Sequence, residues 1–349
     1  MPALLALFAL ALGAPQASPA PAQPTLAWKT LVKRCSGTAT VAGGRSYVSH
    51  DGAVSCLDSG GRAIWSTVVG PVSAAVRVDL KRVYAGTDTG FLVALDRTTG
   101  KPLWKFETKN AIRSAPAVYG SSVFVESCDG NVYGVEAASG TMLWKFSRPD
   151  GSLGYADPFP EGDTALFVCG ESTLYRLDPL SGTLVWKTSF MGKALATPGH
   201  LDGKLVLGGD GTGLSAVSED EGKRLWRFPA TGKSTDWYGV PLVRDGVVYV
   251  GTVRGLVYAL DGGTGRRLWA TALDGEALAR PTLDPARSAL WVPLTGSEPG
   301  AATLVALDSR TGKRRYELKL GDIAASPAIV GDRLYVGSLG GYYHAFSLK

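Results

Sequence analysis

The stretch VYALDGGTGRRLWA, residues 257–270, carries residue types found in ligand-binding loops: an aspartate, three glycines and two adjacent arginines. Glycine lets the backbone approach a ligand closely, and guanidinium groups bind carboxylates and phosphates through paired hydrogen bonds. A ligand-binding loop is therefore one hypothesis for this stretch. Similar strings begin at residues 56, 93, 134, 176, 216 and 306, however, and such repetition favours a structural role.

Other residues that could do chemistry do not form a recognisable site. GDGTG at residues 209–213 offers a single carboxylate, fewer than a calcium loop needs. The three histidines fall in three different repeats, so a histidine-based catalytic site is unsupported. No cysteine occurs in a CxxC or CxxCH spacing, so metal and haem sites lack support as well. These residues are His50, His200, His344, Cys35, Cys56, Cys128 and Cys169.

The repeat has a period of about 40 residues, which is the length typical of a propeller blade. Each copy ends in an aromatic residue, and the gaps between successive aromatics run from 37 to 47 residues. Four strands of about six residues joined by tight turns fill such a period. The eight aromatic residues, which we expect to pack one blade against the next, are Trp28, Trp65, Trp104, Trp144, Trp186, Trp226, Trp269 and Tyr316.

The turn in each copy has a structural explanation. Asp261 can accept hydrogen bonds from backbone amides just ahead of it, and Thr264 can assist. Gly265 can adopt the positive φ that reverses the chain into the outer strand. The aspartate and glycines of VYALDGGTGRRLWA are therefore predicted to build a turn, and Trp269 to project from the outer strand with its indole N–H directed at a loop carbonyl.

The strands at the two ends of the chain predict how the ring of blades closes. Eight hairpins between middle strands are found, but the first outer strand, residues 26–34, precedes all of them and the last hairpin has no outer strand after it. The N-terminal strand must therefore complete the last blade. The sequence predicts an all-β, eight-bladed propeller of four-stranded antiparallel blades as one domain, residues 26–349, after a short linker at 23–25.

The N-terminal segment predicts export. An apolar run from Leu4 to Leu12 is followed by Ala20-Pro21-Ala22, an A-x-A cleavage pattern, although no Lys or Arg precedes the run. No cysteine near the cleavage site could carry a lipid anchor, and no later segment is apolar enough to span a bilayer. We therefore expect a periplasmic or secreted protein with residues 1–22 as its signal peptide.

The motif A-x-D-x-x-T-G-x-x-x-W, carried by residues 94–104 and 259–269, resembles the repeat of the pyrroloquinoline quinone (PQQ) type β-propellers. The resemblance covers about residues 26–349. It implies one of two classes: quinoprotein dehydrogenases, or smaller non-enzymatic propellers such as the BamB component of the outer-membrane β-barrel assembly machine. Fold alone does not choose between them.

The residues favour the non-enzymatic class. The dehydrogenase branch would imply PQQ, a Ca²⁺ ion held by carboxylate and amide oxygens, a catalytic aspartate and a disulfide between adjacent cysteines. No adjacent cysteine pair occurs, and the short repeats leave little chain beyond their turns for a cofactor pocket. We therefore expect a protein-binding scaffold of the cell envelope, BamB-like, that is no enzyme and needs no cofactor. A PQQ-binding protein or minimal PQQ-dependent oxidoreductase, with Ca²⁺, is the alternative.

The candidate partner-binding surface is the face formed by the loops that enter the innermost strands. Most of these loops carry small residues before a proline, and aromatic or Arg exceptions are the types enriched at binding hot spots. The competing interpretation is that Trp237 and Tyr238 only cap the channel. The candidate residues are Arg113, Tyr155, Asp157, Trp237, Tyr238 and Arg280.

Charge adds little to the choice of partner. The net charge of +5 is mild, so a nucleic-acid partner is not indicated. Many Lys and Arg residues lie on the predicted outer strands, where they either attract anionic envelope surfaces or nucleic acid, or protect sheet edges from pairing with other chains. We expect a monomer that binds envelope proteins, with peripheral membrane association left open. A disulfide between Cys128 and Cys169, at strand ends of consecutive blades, also stays open.

Overall fold

The computed structural model describes residues 23–32, 38–190, 197–209, 213–229, 238–296, 302–321, 325–338 and 340–349. Within these ranges the chain forms 32 strands and one short 3₁₀-helix, Pro285–Arg287. The strands make eight antiparallel four-stranded sheets, so the predicted all-β, eight-bladed propeller is confirmed. In the first seven blades the strands follow chain order from the central channel outward, which is the arrangement that the repeat predicts.

The first four blades occupy the N-terminal half. Blade 1 is β2 (Thr40–Ala42), β3 (Arg45–His50), β4 (Ala53–Leu57) and β5 (Ala63–Val68); blade 2 is β6 (Arg77–Val78), β7 (Arg82–Gly86), β8 (Phe91–Asp96) and β9 (Pro102–Glu107); blade 3 is β10 (Ala117–Tyr119), β11 (Ser122–Glu126), β12 (Asn131–Glu136) and β13 (Met142–Ser147); blade 4 is β14 (Phe159–Glu161), β15 (Ala165–Cys169), β16 (Thr173–Leu177) and β17 (Leu184–Ser189).

The remaining blades complete the ring. Blade 5 is β18 (Gly199–Leu201), β19 (Lys204–Gly209), β20 (Gly213–Ser218) and β21 (Arg224–Phe228); blade 6 is β22 (Leu242–Arg244), β23 (Val247–Gly251), β24 (Leu256–Asp261) and β25 (Arg267–Ala272); blade 7 is β26 (Thr282–Asp284), β27 (Ala289–Leu294), β28 (Thr303–Asp308) and β29 (Arg314–Lys319); blade 8 is β30 (Ala328–Val330), β31 (Arg333–Gly337), β32 (Tyr342–Ser347) and β1 (Thr25–Leu31).

The N-terminal strand closes the ring as predicted. β1 pairs antiparallel with β32, with Thr25 opposite Ser347 and Thr30 opposite Tyr343. The strand ends at Leu31 rather than at the predicted residue 34, and residues 33–37 lie outside the described ranges. Pairing the two ends of the chain in one sheet ties the last blade to the first, so the closure resists unravelling from either end.

The DGGTG turn of the repeat is built by its own side chains. The Oδ1 atom of Asp261 accepts hydrogen bonds from the backbone N–H and the hydroxyl of Thr264, at 2.8 and 2.6 Å. Both bonds lower the pKa of Asp261 below its ordinary value, and the bond from the Thr264 hydroxyl has the larger effect. Gly265 has a φ of +72°. The motif that suggested a ligand loop is therefore satisfied internally.

The tryptophan of one blade and the turn of the next blade form a joint. The indole N–H of each repeat Trp donates to a backbone oxygen in the turn of the following blade. The indole ring also lies against a glycine of that turn. A Cβ at Gly265, for example, would lie 2.5 Å from Cε3 of Trp226. The donor–acceptor distances are 2.8 Å for Trp28 to Ser59, 3.2 Å for Trp65 to Arg97, 3.0 Å for Trp104 to Ala137, 2.9 Å for Trp144 to Pro179, 3.0 Å for Trp186 to Glu219, 2.9 Å for Trp226 to Gly262 and 3.0 Å for Trp269 to Ser309.

The joint explains why the eighth position of the repeat can be Tyr316. The blade that follows Tyr316 is blade 8, whose two outer strands, β32 and β1, come from opposite ends of the chain. No turn connects these strands, so the glycine and carbonyl that receive each Trp have no counterpart. Tyr316 instead packs, partly buried, against the core cluster that contains Trp291.

Replacing Gly265 by Ala is expected to cost more stability than replacing Gly246 by Ala. Both glycines have similar positive φ values, +72° and +76°, so each substitution costs about 1–2 kcal/mol in backbone strain. Only at Gly265 does the new methyl meet the Trp226 ring, whereas nothing lies within 4 Å of a Cβ at Gly246. Overpacking adds roughly 1–3 kcal/mol. Denaturant unfolding of both variants measures the difference in stability. Equal losses of stability would contradict the close packing of the Trp226 ring against Gly265.

The hydrophobic cores lie between successive blades, and the three described cysteines are buried. Cys56, Cys128 and Cys169 are buried free thiols, so Cys128 and Cys169 are not bridged in the structure. Burial, the largest effect on each, raises the pKa of all three thiols. Cys35 lies outside the described residues. No helix in the described ranges is long and apolar enough to cross a membrane.

Candidate functional site

The eight innermost strands surround a central channel with a volume of about 1100 Å³. Sheet register shows which of their residues are equivalent: Arg77 pairs with Tyr84 in blade 2 as Ala117 pairs with Phe124 in blade 3 and Thr282 with Trp291 in blade 7. Successive side chains of an inner strand point to opposite faces of its blade, and each face packs against a neighbouring blade: Leu242 contacts the core shared with blade 7, and Val243 contacts the core shared with blade 5. The residues that line the channel are therefore identified from the cavity itself.

Four arginines line the channel. Most inner strands are preceded by a proline, and relative to that position Arg113 lies at −3, Arg280 at −1, Arg77 at +1 and Arg244 at +3. Asp157, also at position −1, is the acidic residue among the described lining residues, so the lining has a net charge of +3.

Asp157 ties four blades together at the middle of the channel. Its Oδ2 atom pairs with a guanidinium N–H of Arg77 at 3.0 Å, and its Oδ1 atom accepts the backbone N–H of Ala115 at 2.7 Å. Its own backbone N–H donates to the hydroxyl of Thr197 at 2.9 Å. The carboxylate is therefore already engaged by protein donors, and one role of Asp157 is to hold Arg77 across blade 3.

Arg280 reaches the channel without such a partner. Burial lowers the pKa of its guanidinium group, Asp157 opposes that shift, and the charge on Arg77 adds to it. The Nε atom of Arg280 is buried and has no hydrogen-bond partner in the part of the chain that the structure describes. Two guanidinium groups therefore face one carboxylate at this depth, which leaves the middle of the channel with unbalanced positive charge.

The mouth of the channel lies on the predicted face. Arg113 is 53% exposed, and its Nε atom lies 3.7 Å from Oδ1 of Asp88, which also accepts the hydroxyl of Ser73. Tyr155 lines the mouth and is partly buried. We name this surface, formed by the loops entering the inner strands around Arg113 and Tyr155, the entry face.

The six predicted partner-binding residues do not share one surface. Arg113 and Tyr155 lie on the entry face, whereas Asp157 and Arg280 lie within the channel. Tyr238 is only 6% exposed and packs into the core cluster that contains Trp226, so it is a packing residue and not an exposed contact. Trp237 lies outside the described residues. The sequence analysis missed Arg77 and Arg244, which belong to the inner strands β6 and β22 and line the channel.

A buried ion pair supports the entry face between blades 3 and 4. Glu126, at the end of β11, and Arg148 have fully buried side chains and bond to each other through Oε2 and a terminal guanidinium N–H. Burial raises the pKa of Glu126 to about 7, although the charge on Arg148 and the backbone N–H of Cys169 oppose the shift. Oε1 of Glu126 and Nε of Arg148 have no hydrogen-bond partner among described residues.

The described channel lining offers a single carboxylate to the Ca²⁺ ion that accompanies PQQ in the dehydrogenase class. A Ca²⁺ ion needs several oxygen ligands, and the one carboxylate of the described lining, Asp157, already pairs with Arg77 and a backbone amide. In the described ranges no group of three His, Cys, Asp or Glu residues could hold a metal ion. The buried free thiols also offer no adjacent pair for a disulfide.

A family model described as "Outer membrane protein assembly factor BamB" matches residues 50–159, 153–237 and 214–349. The chain belongs to this family. A solved structure, that of BamB from Moraxella catarrhalis, superimposes with a TM-score of 0.77 over 93% of this chain and all of that one, at 20% sequence identity. This likeness shows that the BamB propeller and this one share a fold.

Relatives outside the BamB name also match. The tetrathionate hydrolase of Acidithiobacillus ferrooxidans is 25% identical over 74% of this chain and 56% of its own length. BamB of Yersinia pestis is 27% identical over 59% of this chain and 60% of its own length. The chain thus spans a little over half of each of these two relatives, and one of them is named as an enzyme.

Proposed function

We propose that the protein is an exported, non-enzymatic scaffold that binds other proteins of the cell envelope and takes part in outer-membrane protein assembly. The observation that carries the proposal is the BamB family match along residues 50–349, which covers blades 2 to 7 in full and parts of blades 1 and 8. The entry face supports it, because it presents Arg113 and Tyr155, residue types enriched at binding hot spots, around a rigid rim.

The site chemistry supports a binding role over a catalytic one. The described channel residues supply arginines and one engaged carboxylate, so no base is aligned with a nucleophile there. The ring of blades, locked by seven indole hydrogen bonds, provides a preorganised surface, which reduces the entropy lost on association. These features suit a rigid adaptor that presents loops to partners.

Affinity capture tests the proposal. The purified protein, tagged at its C-terminus, is immobilised and exposed to solubilised native envelope extract, and bound proteins are identified by mass spectrometry. We expect proteins of the outer-membrane assembly machinery to be enriched over an unrelated periplasmic control protein. Failure to enrich them, with the protein shown to be folded, would contradict the proposal.

The alternative of a PQQ-binding protein or minimal quinoprotein oxidoreductase rests on the named enzymes among the propellers with this repeat. Absorbance titration of the purified protein with PQQ and Ca²⁺, followed by assay of dye reduction with alcohols and sugars, tests it directly. We expect neither saturable binding nor dye reduction, because the engaged Asp157 leaves no oxygen cage for the ion. Saturable micromolar binding with turnover would replace the scaffold proposal.

A further inference from the structure

The residue at position −1 of the inner strand lines the channel in all eight blades, so these residues form one level of its wall. Sheet register makes them equivalent, because each lies two residues before the inner-strand residue that pairs at the same point of the second strand, as Thr40 does with Tyr47 and Thr282 with Trp291. In ring order from blade 1 they are Thr38, Ala75, Ala115, Asp157, Thr197, Val240, Arg280 and Ser326. A compact ligand at this depth would meet side chains of neighbouring blades together.

Arg280 gives this level a positive charge that the protein leaves unbalanced. Asp157, three blades away, is already engaged by Arg77 at 3.0 Å and by the backbone N–H of Ala115 at 2.7 Å. No hydrogen bond or ion pair to the guanidinium group of Arg280 occurs within the described residues. Its Nε atom is buried, whereas its terminal nitrogens stay accessible to the channel that Arg280 lines. Holding a guanidinium group largely out of water without a counter-ion costs free energy, so an anion that pairs with it gains affinity.

Two hydroxyl groups follow Arg280 around the ring. Arg280 belongs to blade 7, Ser326 to blade 8 and Thr38 to the chain entering blade 1, so the three residues come from consecutive blades. Two hydrogen bonds tie these blades together: the Thr282 hydroxyl donates to the carbonyl of Pro327 at 2.5 Å, and the backbone N–H of Ser326 donates to the hydroxyl oxygen of Thr38 at 3.2 Å. An oxygen that accepts a hydrogen bond can still donate its own O–H. We name Arg280, Ser326 and Thr38 the Arg280 sector.

The charges around the Arg280 sector favour a ligand group with a single negative charge. Arg77 and Asp157 offset each other, so Arg280 leaves a net charge of +1 at this depth. One carboxylate balances that charge, and its planar pair of oxygens matches the geometry of a guanidinium group. A second negative charge would have no partner at this level and would be repelled by Asp157. The side chains of Ala75, Ala115 and Val240 supply no further donors.

We infer that the central channel binds a small molecule through one carboxylate group, which the guanidinium group of Arg280 and the hydroxyl groups of Ser326 and Thr38 hold. Asp157 stays paired with Arg77. The inference goes beyond the proposed scaffold function and does not depend on it, because the ligand lies inside the ring of blades whereas that proposal places protein partners at the entry face.

Binding of acetate to the purified protein tests the inference. The carboxyl resonance of ¹³C-labelled acetate is followed by NMR at pH 8 and constant ionic strength as the protein is titrated, and unlabelled acetamide and inorganic phosphate are then added as competitors. We expect saturable binding with a dissociation constant of about 1 mM, the range open to so small a ligand. Acetamide, which has the same shape without the charge, should not compete. Phosphate, a dianion at this pH, should compete only at concentrations at least tenfold higher than unlabelled acetate needs. No saturable binding, or competition by phosphate at the concentration of acetate, would overturn the inference.

Variants locate the site. Arg280→Gln removes the charge, keeps a polar side chain and should weaken acetate binding at least tenfold. The matched control, Arg244→Gln, removes the same charge from an exposed arginine elsewhere in the channel and should change the affinity less than twofold, because salt screens charges at a distance. Equal weakening by the two substitutions would mean diffuse attraction by the channel charge and would overturn a site at Arg280.

Two further readouts separate ligand binding from a structural role of Arg280. Ser326→Ala leaves every charge in place and should weaken acetate binding about tenfold, as for the loss of a hydrogen bond to a charged group. Unchanged affinity in this variant would contradict the Arg280 sector. Acetate should also raise the melting temperature of the wild type above its value in an equal concentration of chloride, and should leave that of Arg280→Gln unchanged. The same rise in both proteins would place the bound acetate elsewhere.

Discussion

Replacing Glu126 by Ala is expected to lower the free energy of unfolding at pH 8, where the carboxyl group is ionised, by about 3–5 kcal/mol, because it strips a buried guanidinium group of its counter-ion. Both side chains of the Glu126–Arg148 pair are fully buried, so water cannot replace the lost carboxylate. Urea unfolding followed by tryptophan fluorescence measures the loss. The matched control is Glu221→Ala, which breaks the exposed Lys223–Glu221 pair and should cost about 0–1 kcal/mol.

The same residue should give stability a pH dependence of defined sign. Burial raises the pKa of Glu126 from 4.5 to about 7, so between these values the folded state holds a proton that the unfolded state releases. Its stabilising contribution is full below pH 4.5 and is lost as the pH rises through 7. Burial also lowers the pKa of His344, and this shift makes stability rise with pH. The effect of His344 is the same in the wild type and in the variant, so it cancels in the comparison. The wild type should therefore lose stability relative to Glu126→Gln between pH 4.5 and 8; parallel profiles would contradict the assignment.

Replacing Trp144 by Ala is expected to cost about 3–5 kcal/mol, the range for removing a large buried aromatic side chain. Trp144 is 7% exposed, stacks on Phe124 with ring centroids 5.8 Å apart, and donates its indole N–H to the Pro179 carbonyl. Its loss opens a cavity between blades 3 and 4 and leaves that carbonyl without its donor.

The neighbouring residue supplies a control for Trp144. Leu143 lies on the same strand but is 50% exposed, so Leu143→Ala should change stability by less than about 1 kcal/mol. Thermal and urea unfolding of the two variants, prepared side by side, measures the contrast. If Trp144→Ala unfolds at the same denaturant concentration as Leu143→Ala, the role of the tryptophans as joints between blades is wrong.

The fold was predictable because the repeat encodes its own joints. Each Asp-x-x-Thr-Gly turn and each Trp belong to one local motif, and the structure shows that the turn of one blade receives the Trp of the preceding blade. Counting the copies also gave the blade number and the closure by β1. Local sequence and global topology agree at these positions, as they do in sequences that specify one structure.

The site was less predictable because it lies where the repeats differ. Tyr238 occupies an entry loop, yet it forms a bridge with Thr252 and turns its ring into the core between blades. Glu126 and Arg148 are separated in the chain and occupy irregular positions of the repeat, so no spacing rule pairs them. The four channel arginines come from four different blades, and only the folded ring shows that they line one cavity.

The central claim is that this propeller binds outer-membrane assembly proteins through its entry face. The most direct test compares the partners captured by three proteins. These are the wild type, an Arg113→Ala/Tyr155→Ala variant of the entry face, and a Lys101→Ala/Tyr119→Ala control on the opposite face, where both side chains are exposed. Quantitative mass spectrometry should show assembly proteins bound to the wild type and to the control, with at least a tenfold loss in the entry-face variant. Equal recovery with all three proteins, or no recovery with the wild type, would contradict the account.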